Sequence, residues 1–362
     1  MKKEIVKNIF SDQKDTNIAL TSENNSPLLF KDLKDLSNKI SRQLSGNQIS
    51  NKDRAAIILS NGPYMASSFL AISSYMSAAP LNPNYKSDEY EFYLNDLKPK
   101  IVLVEPNSTN SVVDVAKKLK IPICEIKIKK NQPTGFFDLF NKENNFNEPN
   151  ENDEALVLHT SGTTSRPKIV PLTNKNIYSS SLNISKSLNL SEEDHCLNIM
   201  PLFHIHGLIA IIASSMKSGA SVCASSGFNA LKFLELAKSE KITWYSGVPT
   251  MHQTIMLRAE KNLELAKNLN LRLVRSSSAS LPPAVFEKLN KIFNCPVIEA
   301  YGMTEATHQM TSNPLPPKKQ KAGFVGIPAG PEVCIMNDNN QIMKSGDIGE
   351  VCIKGSNVTS GY

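Results

Sequence analysis

The sequence predicts an α/β protein, with two doubly wound sheet-and-helix subdomains and the start of a small antiparallel β subdomain. Short apolar runs alternate with helical stretches along residues 32–104 and again along residues 155–302, the pattern of parallel strands with covering helices. Between the two series lies an asparagine-rich segment, NKENNFNEPNEND at residues 141–153, with the composition of a surface connection. From Gly323 the texture changes to short strand-like runs separated by Asn, Asp and Gly. The expected divisions are residues 1–150, 151–322 and 323–362.

The elements follow in order. DLKDLSNKISRQLSG (32–46) is an amphipathic helix, RAAIILS a strand, PYMASSFLAISSYMSA a helix, APLNP a strand, SDEYEFYLNDLK a helix and IVLVE a strand. After the polar connection, ALVL (155–158) reads as a buried strand, and the segment from Leu172 onward as a helix capped by Thr173. Then come CLNIM (strand), GLIAIIASSMKSG (helix), ASVCA (strand), LKFLELAKSE (helix), ITWYSGV (strand) and PTMHQTIMLRAEK (helix). LRLVRSS (strand), PPAVFEKLNKIF (helix) and PVIEAYG (strand) close the second series. VGIPAG, EVCIMNDNNQI and GEVCIKGSNVTSGY form the small β unit.

Composition excludes several classes. With 362 residues, 40% hydrophobic and 20% charged, the chain has ordinary globular composition and room for two or three subdomains. The net charge of +6 is dispersed, and the densest basic run, KIKK at 127–130, is short and lacks interleaved aromatics, so no nucleic-acid partner is expected. The six cysteines show no C-x-x-C spacing and read as thiols in a reducing compartment. MKKEIVKNIF acquires Glu4 and then Asp12 before any apolar stretch long enough for an export signal. Two uncharged stretches, 60–85 and 196–216, are interrupted by proline, serine, histidine or glycine, so each reads as a buried helix-plus-strand unit and no membrane span is expected.

Two stretches carry chemistry. HTSGTTSRPKIVPLT (159–173) is not a standard phosphate loop, because Gly162 has no second glycine after it and Lys168 is followed by Ile169. The hydroxyls of Thr160, Ser161, Thr163 and Thr164, the backbone N–H groups around Gly162 and the charge of Lys168 can nevertheless grip phosphate oxygens. The plain alternative is an ordinary hairpin turn. IEAYGMTEATH (298–308) follows an apolar strand, which puts Tyr301 to Glu305 at the carboxyl edge where open α/β sheets bind ligands. There Tyr301 can stack on a base, Thr304 can bond a phosphate and Glu305 can hold Mg²⁺. The alternative is a helix start with Thr304 as cap.

Taken in order, HTSGTTSRPKIVPLT, MPLFHIHG, SSSASL, EAYGMTE and GEVCIKGSNVTSGY resemble the core motifs of the adenylate-forming superfamily of acyl-CoA synthetases, luciferases and peptide-synthetase adenylation domains. PLFHIHGL, SASL, EAYGMTEATH and TSNPLP resemble the oxalate–CoA ligase branch. The resemblance implies an AMP-forming acid–thiol ligase: a carboxylate attacks the α-phosphate of ATP, pyrophosphate leaves, and coenzyme A thiolate displaces AMP. It implies that the hydroxyl turn holds the β- and γ-phosphates, with Thr304, Glu305 and Lys168 as catalytic residues and Glu305 on Mg²⁺. The nucleotide would lie along Ser278, Ala279 and Ser280 and along Glu299, Ala300, Tyr301, Gly302 and Met303. His206, Ser278 and His308 match positions lining the acid site, with His204 on the opposite side of an extended segment as a gate.

Oxalate is thus the expected acid, with a short or medium fatty acid, or a nucleotide-binding remnant without activity, as alternatives. The resemblance further implies a following lid domain of roughly 150 residues, so the chain reads as the large N-terminal domain with that lid absent. The expected compartment is the cytoplasm, or the peroxisome in a eukaryote. Ser165 and Ile169 replace glycines frequent in the superfamily, and a β-branched residue at 169 resists positive φ. Arg275 stands at a strand end near SSSASL, either as a ligand contact or in a structural salt bridge.

Overall fold

The computed structural model describes residues 2–23, 25–160 and 167–362. Its larger sheet has nine strands, in the order Ile327–Pro328, His308–Ser312, Val297–Met303, Leu273–Ser276, Trp244–Gly247, His195–Asn198, Ser221–Ala224, Ile18–Thr21 and Leu28–Leu29. The six strands from Val297–Met303 to Ile18–Thr21 are parallel, and antiparallel strands close both edges. The second sheet runs Ile123–Glu125, Ile101–Val104, Arg54–Ile58, Ser77–Pro80, Glu154–Thr160 and Lys168–Thr173, parallel except for the last pair. Glu332–Met336 and Glu350–Lys354 form a separate antiparallel pair. The mixed α/β fold is the predicted one.

Strands covered on both faces read as continuous apolar runs, and Ile101–Val104 is buried at every position. The helix Phe30–Gly46 buries Leu33, Leu36, Ile40 and Leu44 as a single stripe. The helix Asn174–Ser187 starts where its cap predicts: the Asn176 N–H donates to Thr173 Oγ1 at 3.2 Å, and the Thr173 N–H donates to Asn176 Oδ1 at 2.9 Å. Both uncharged stretches fold as helix and strand inside the core, and among the described residues no helix is long and apolar enough to cross a membrane.

The sheets do not divide where the polar connection suggests. Glu154–Thr160, expected to open the second layer, pairs with Ser77–Pro80 and completes the first sheet. Ile18–Thr21, from the other end of the sequence, pairs with Ser221–Ala224 in the larger sheet. Leu172 lies in the strand Lys168–Thr173 rather than in the helix that follows. Ile169 sits opposite His159 in that antiparallel ladder, an extended setting that suits a β-branched side chain.

Candidate active site at the carboxyl edge of the larger sheet

The edge is built by neighbouring strands. Ser246 and Arg275 are register partners on Trp244–Gly247 and Leu273–Ser276, near the carboxyl end of each. Beyond Ser276 the chain turns outward, and Ser278, Ala279 and Ser280 are exposed. Ser278 has φ 72, a left-handed conformation unusual for serine. The next strand, Val297–Met303, ends in a short turn, Thr304–Ala306, and returns antiparallel as His308–Ser312. Gly302 permits that return, because a Cβ there would sit 1.6 Å from the His308 carbonyl oxygen. Thr307 (φ 49) and His308 (φ 90) also hold left-handed backbone, the kind of strain that persists only where surrounding structure fixes it. Buried Asn357 does so here, donating from Nδ2 to the carbonyls of Ala306 (2.8 Å) and Gln309 (3.2 Å).

Three residues singled out for the acid meet. His206 opens a wide, π-type helix, His206–Ala213, a geometry that recurs at functional sites. A Cβ on the next residue, Gly207, would fall 2.5 Å from the Pro201 carbonyl oxygen, so only glycine lets the helix start this close to the preceding turn. His206 Nδ1 lies 3.0 Å from Ser278 Oγ, and its ring centroid is 5.0 Å from that of His308. Both imidazoles are buried, and burial first and Arg275 second hold them well below the ordinary histidine pKa, hence neutral. His204 does not occupy an extended segment. It sits in the turn before the helix, exposed and packed on Phe203, with its carbonyl accepting from the Leu208 N–H.

Behind these groups lies Arg275, fully buried. It forms no salt bridge: among the described residues its guanidinium meets only neutral groups, Ser246 Oγ at 3.3 Å, Gln309 Oε1 at 3.2 Å and His308 Nδ1 at 3.5 Å. Burial pulls its pKa down to about 9, still cationic at neutral pH. Ser246 and Gln309 carried no sequence signal, since neither stands in a recognisable motif.

For the nucleotide, Tyr301 and Met303 are exposed at the edge, as expected, whereas Glu299 and Ala300 are buried beneath it. Glu299 Oε1 accepts from the Leu281 N–H at 3.1 Å, and the Ala300 carbonyl accepts from the Ser277 hydroxyl at 2.9 Å. These two residues therefore brace the 277–281 turn instead of presenting side chains to a ligand. Thr304 does not cap a helix: it is the first residue of a three-residue turn whose N-cap position, Met303, makes no side-chain cap bond. Glu305 is partly exposed and accepts from the Tyr362 hydroxyl at 2.9 Å.

Of the hydroxyl turn, Ser161, Gly162, Thr163 and Thr164 lie outside the described residues, as does Ser165. Its two ends, Thr160 and Lys168, face each other as ladder partners. Lys168 Nζ stands 4.5 Å from the centroid of the Tyr362 ring whose hydroxyl reaches Glu305, so the two predicted constellations adjoin.

Residues 10–362 match the family described as AMP-binding enzyme. The chain belongs to that family. It is 40% identical over 338 residues to the oxalate–CoA ligase of Saccharomyces cerevisiae, covering 86% of this chain and 62% of that one. It is 41% identical over 331 residues to the oxalate–CoA ligase of Arabidopsis thaliana, covering 89% and 64%. The chain thus spans under two thirds of the length of these relatives. Its fold is also that of ATP-bound MatB from Rhodopseudomonas palustris, with TM-score 0.87, 24% identity, and coverage of all of this chain and 72% of that one.

Proposed function

We propose that this chain is the nucleotide- and acid-binding part of an ATP-dependent acid–CoA ligase that adenylates oxalate, releases pyrophosphate and then forms the CoA thioester. The observation that carries this reading is the cluster of His206, His308 and Ser278, two imidazoles and a hydroxyl brought together at one end of the sheet. A fatty acid would gain nothing from two imidazoles and a hydroxyl, whereas a second carboxylate needs donors of this kind. Similarity to two oxalate–CoA ligases supports the same acid.

In this reading Tyr301 presents a face to the adenine, Thr304 donates its hydroxyl to the α-phosphate, and Lys168 with the hydroxyl turn steadies the outer phosphates. Glu305 suits Mg²⁺. It is a hard oxygen donor, partly open to solvent. One carboxylate plus substrate phosphates is the usual way Mg²⁺ is held. When bound, that ion would neutralise charge on the phosphates.

The test is pyrophosphate release by the protein in its full natural length. Oxalate should outcompete acetate, hexanoate and malonate, and His308→Ala should lower kcat/KM for oxalate about ten- to a hundredfold, the cost of a lost charge-assisted bond of roughly 1.5–3 kcal/mol. His206→Ala should lower it in the same direction by freeing the Ser278 hydroxyl that His206 orients. Ser278→Ala should cost less. A preference for hexanoate that ignores both histidine changes would replace oxalate by a fatty acid and leave the ligase reading in place.

A further inference from the structure

We infer that Arg275 is the positioning residue of the acid site: a buried, acid-free cation that sets the direction of every donor facing the substrate, through Ser246 to His206 and Ser278 and directly to His308. The inference rests on the acid-site reading above and extends it to residues behind the site.

The direction follows from proton counting. A guanidinium only donates, so Ser246 Oγ must accept from Arg275 Nη1 at 3.3 Å. Ser246 has one proton of its own, and its other partner among the described residues is His206 Nε2 at 2.6 Å. That proton therefore goes to His206, making Nε2 the acceptor and placing the imidazole proton on Nδ1. Nδ1–H then donates to Ser278 Oγ at 3.0 Å, which leaves the Ser278 hydroxyl proton free to point from the exposed turn toward a ligand. On the second branch, Arg275 Nη2 faces His308 Nδ1 at 3.5 Å, so His308 carries its proton on Nε2. Gln309 holds that Nη2 in place: its Oε1 accepts from Arg275 at 3.2 Å, while its Nε2 donates to Ser187 Oγ (3.0 Å) and the Ala329 carbonyl (3.2 Å).

The charge fits the same role. A buried cation without a carboxylate is costly, and Arg275 Nε–H is itself buried with no partner among the described residues. A dianion at His206, Ser278 and His308 would supply the missing countercharge a short distance away, and a chain of aligned donors would carry the positive potential to it. A monocarboxylate has no second charge to place there. Arg275 therefore bears on discrimination between dicarboxylates and monocarboxylates without touching either.

Two measurements test this. In the chain labelled with ¹³C and ¹⁵N histidine, NMR should show neutral His206 as the Nδ1–H tautomer and neutral His308 as the Nε2–H tautomer. Ser246→Ala should release the His206 preference and leave that of His308. Arg275→Met, which fills similar volume without charge, should release both. In steady-state assays on the full natural length, Arg275→Met should raise KM for oxalate at least tenfold, with KM for ATP changed less than twofold, and Ser246→Ala should lie between it and the native protein. Arg275→Lys, which keeps the charge, should recover part of the oxalate affinity. Opposite tautomers in the native chain, or tautomers unmoved by Ser246→Ala, would overturn the relay. Should Arg275→Met not fold, Ser246→Ala and Arg275→Lys decide the matter: oxalate KM unchanged in both removes Arg275 from acid recognition. Correct tautomers in a protein that prefers hexanoate would instead sink the oxalate reading and leave the relay standing.

Discussion

Gly302→Ala is the change with the largest leverage on the site, and its effect can be worked from geometry. The added Cβ would lie 1.6 Å from the His308 carbonyl oxygen, 2.5 Å from its carbon and 3.2 Å from Gln309 Cα. Ordinary contact needs about 3.5 Å, so the strands Val297–Met303 and His308–Ser312 must part by roughly 2 Å at that point. The pairs Gly302↔Gln309 and Met303↔His308 would open. Losing about two ladder hydrogen bonds and accepting some strain costs roughly 2–5 kcal/mol. The clash falls at the end of the strand Val297–Met303, beyond Val297 and Ile298 where that strand joins the main hydrophobic clusters, so the variant should still fold, with a lower denaturation midpoint. His308 would move away from Arg275 and His206, while Thr304 and Glu305, in the same turn, would shift with it. Calorimetric affinities for ATP·Mg²⁺ and for oxalate should therefore both fall, by tenfold or more. If Gly302→Ala leaves both affinities and the midpoint unchanged, the close approach does not exist and the site as described is wrong.

Glu305→Gln should weaken the Mg²⁺-dependent part of ATP binding with little effect on melting, because an amide keeps the shape and loses the charge; Thr304→Ala should act in the same direction more mildly. A lower melting temperature with unchanged ATP·Mg²⁺ affinity would assign both residues a structural role only. The pH dependence of stability should report His252, whose Nδ1 lies 3.2 Å from the Tyr245 hydroxyl and whose pKa burial drives from an ordinary 6.5 to about 4. The unfolded chain protonates this ring below 6.5 while the folded one does not, so its contribution is full above that value and falls toward pH 4, by about 2 kcal/mol between pH 7 and pH 5, with losses of the same sign from buried His206 and His308 added to it. Denaturation at the two pH values should show a smaller loss in His252→Gln than in the native chain, and equal losses would contradict a neutral buried ring.

The order of strands and helices was legible because burial on both faces leaves continuous apolar runs and because a cap such as Thr173 marks a helix start through local bonding alone. The residues proposed to bear chemistry stood out in short motifs as well, through their hydroxyls, lysine, imidazoles and carboxylate and through the family resemblance of those motifs. Which of those residues face outward was not. Tyr301 and Glu299 are two positions apart on one strand, yet Tyr301 reaches the open edge, whereas Glu299 is drawn under the turn by the Leu281 N–H. Nor could the sequence say that Ile18–Thr21 joins Ser221–Ala224, because pairing between such distant segments is decided by how the sheets pack. Arg275 makes the same point at the site. Its identity and its place at a strand end were plain in the sequence, and both a salt bridge and a ligand contact fitted them. Only the packed structure surrounds it with Ser246, His308 and Gln309 and, among the described residues, with no acid, because the environment of a buried charge is made by residues far away in the chain.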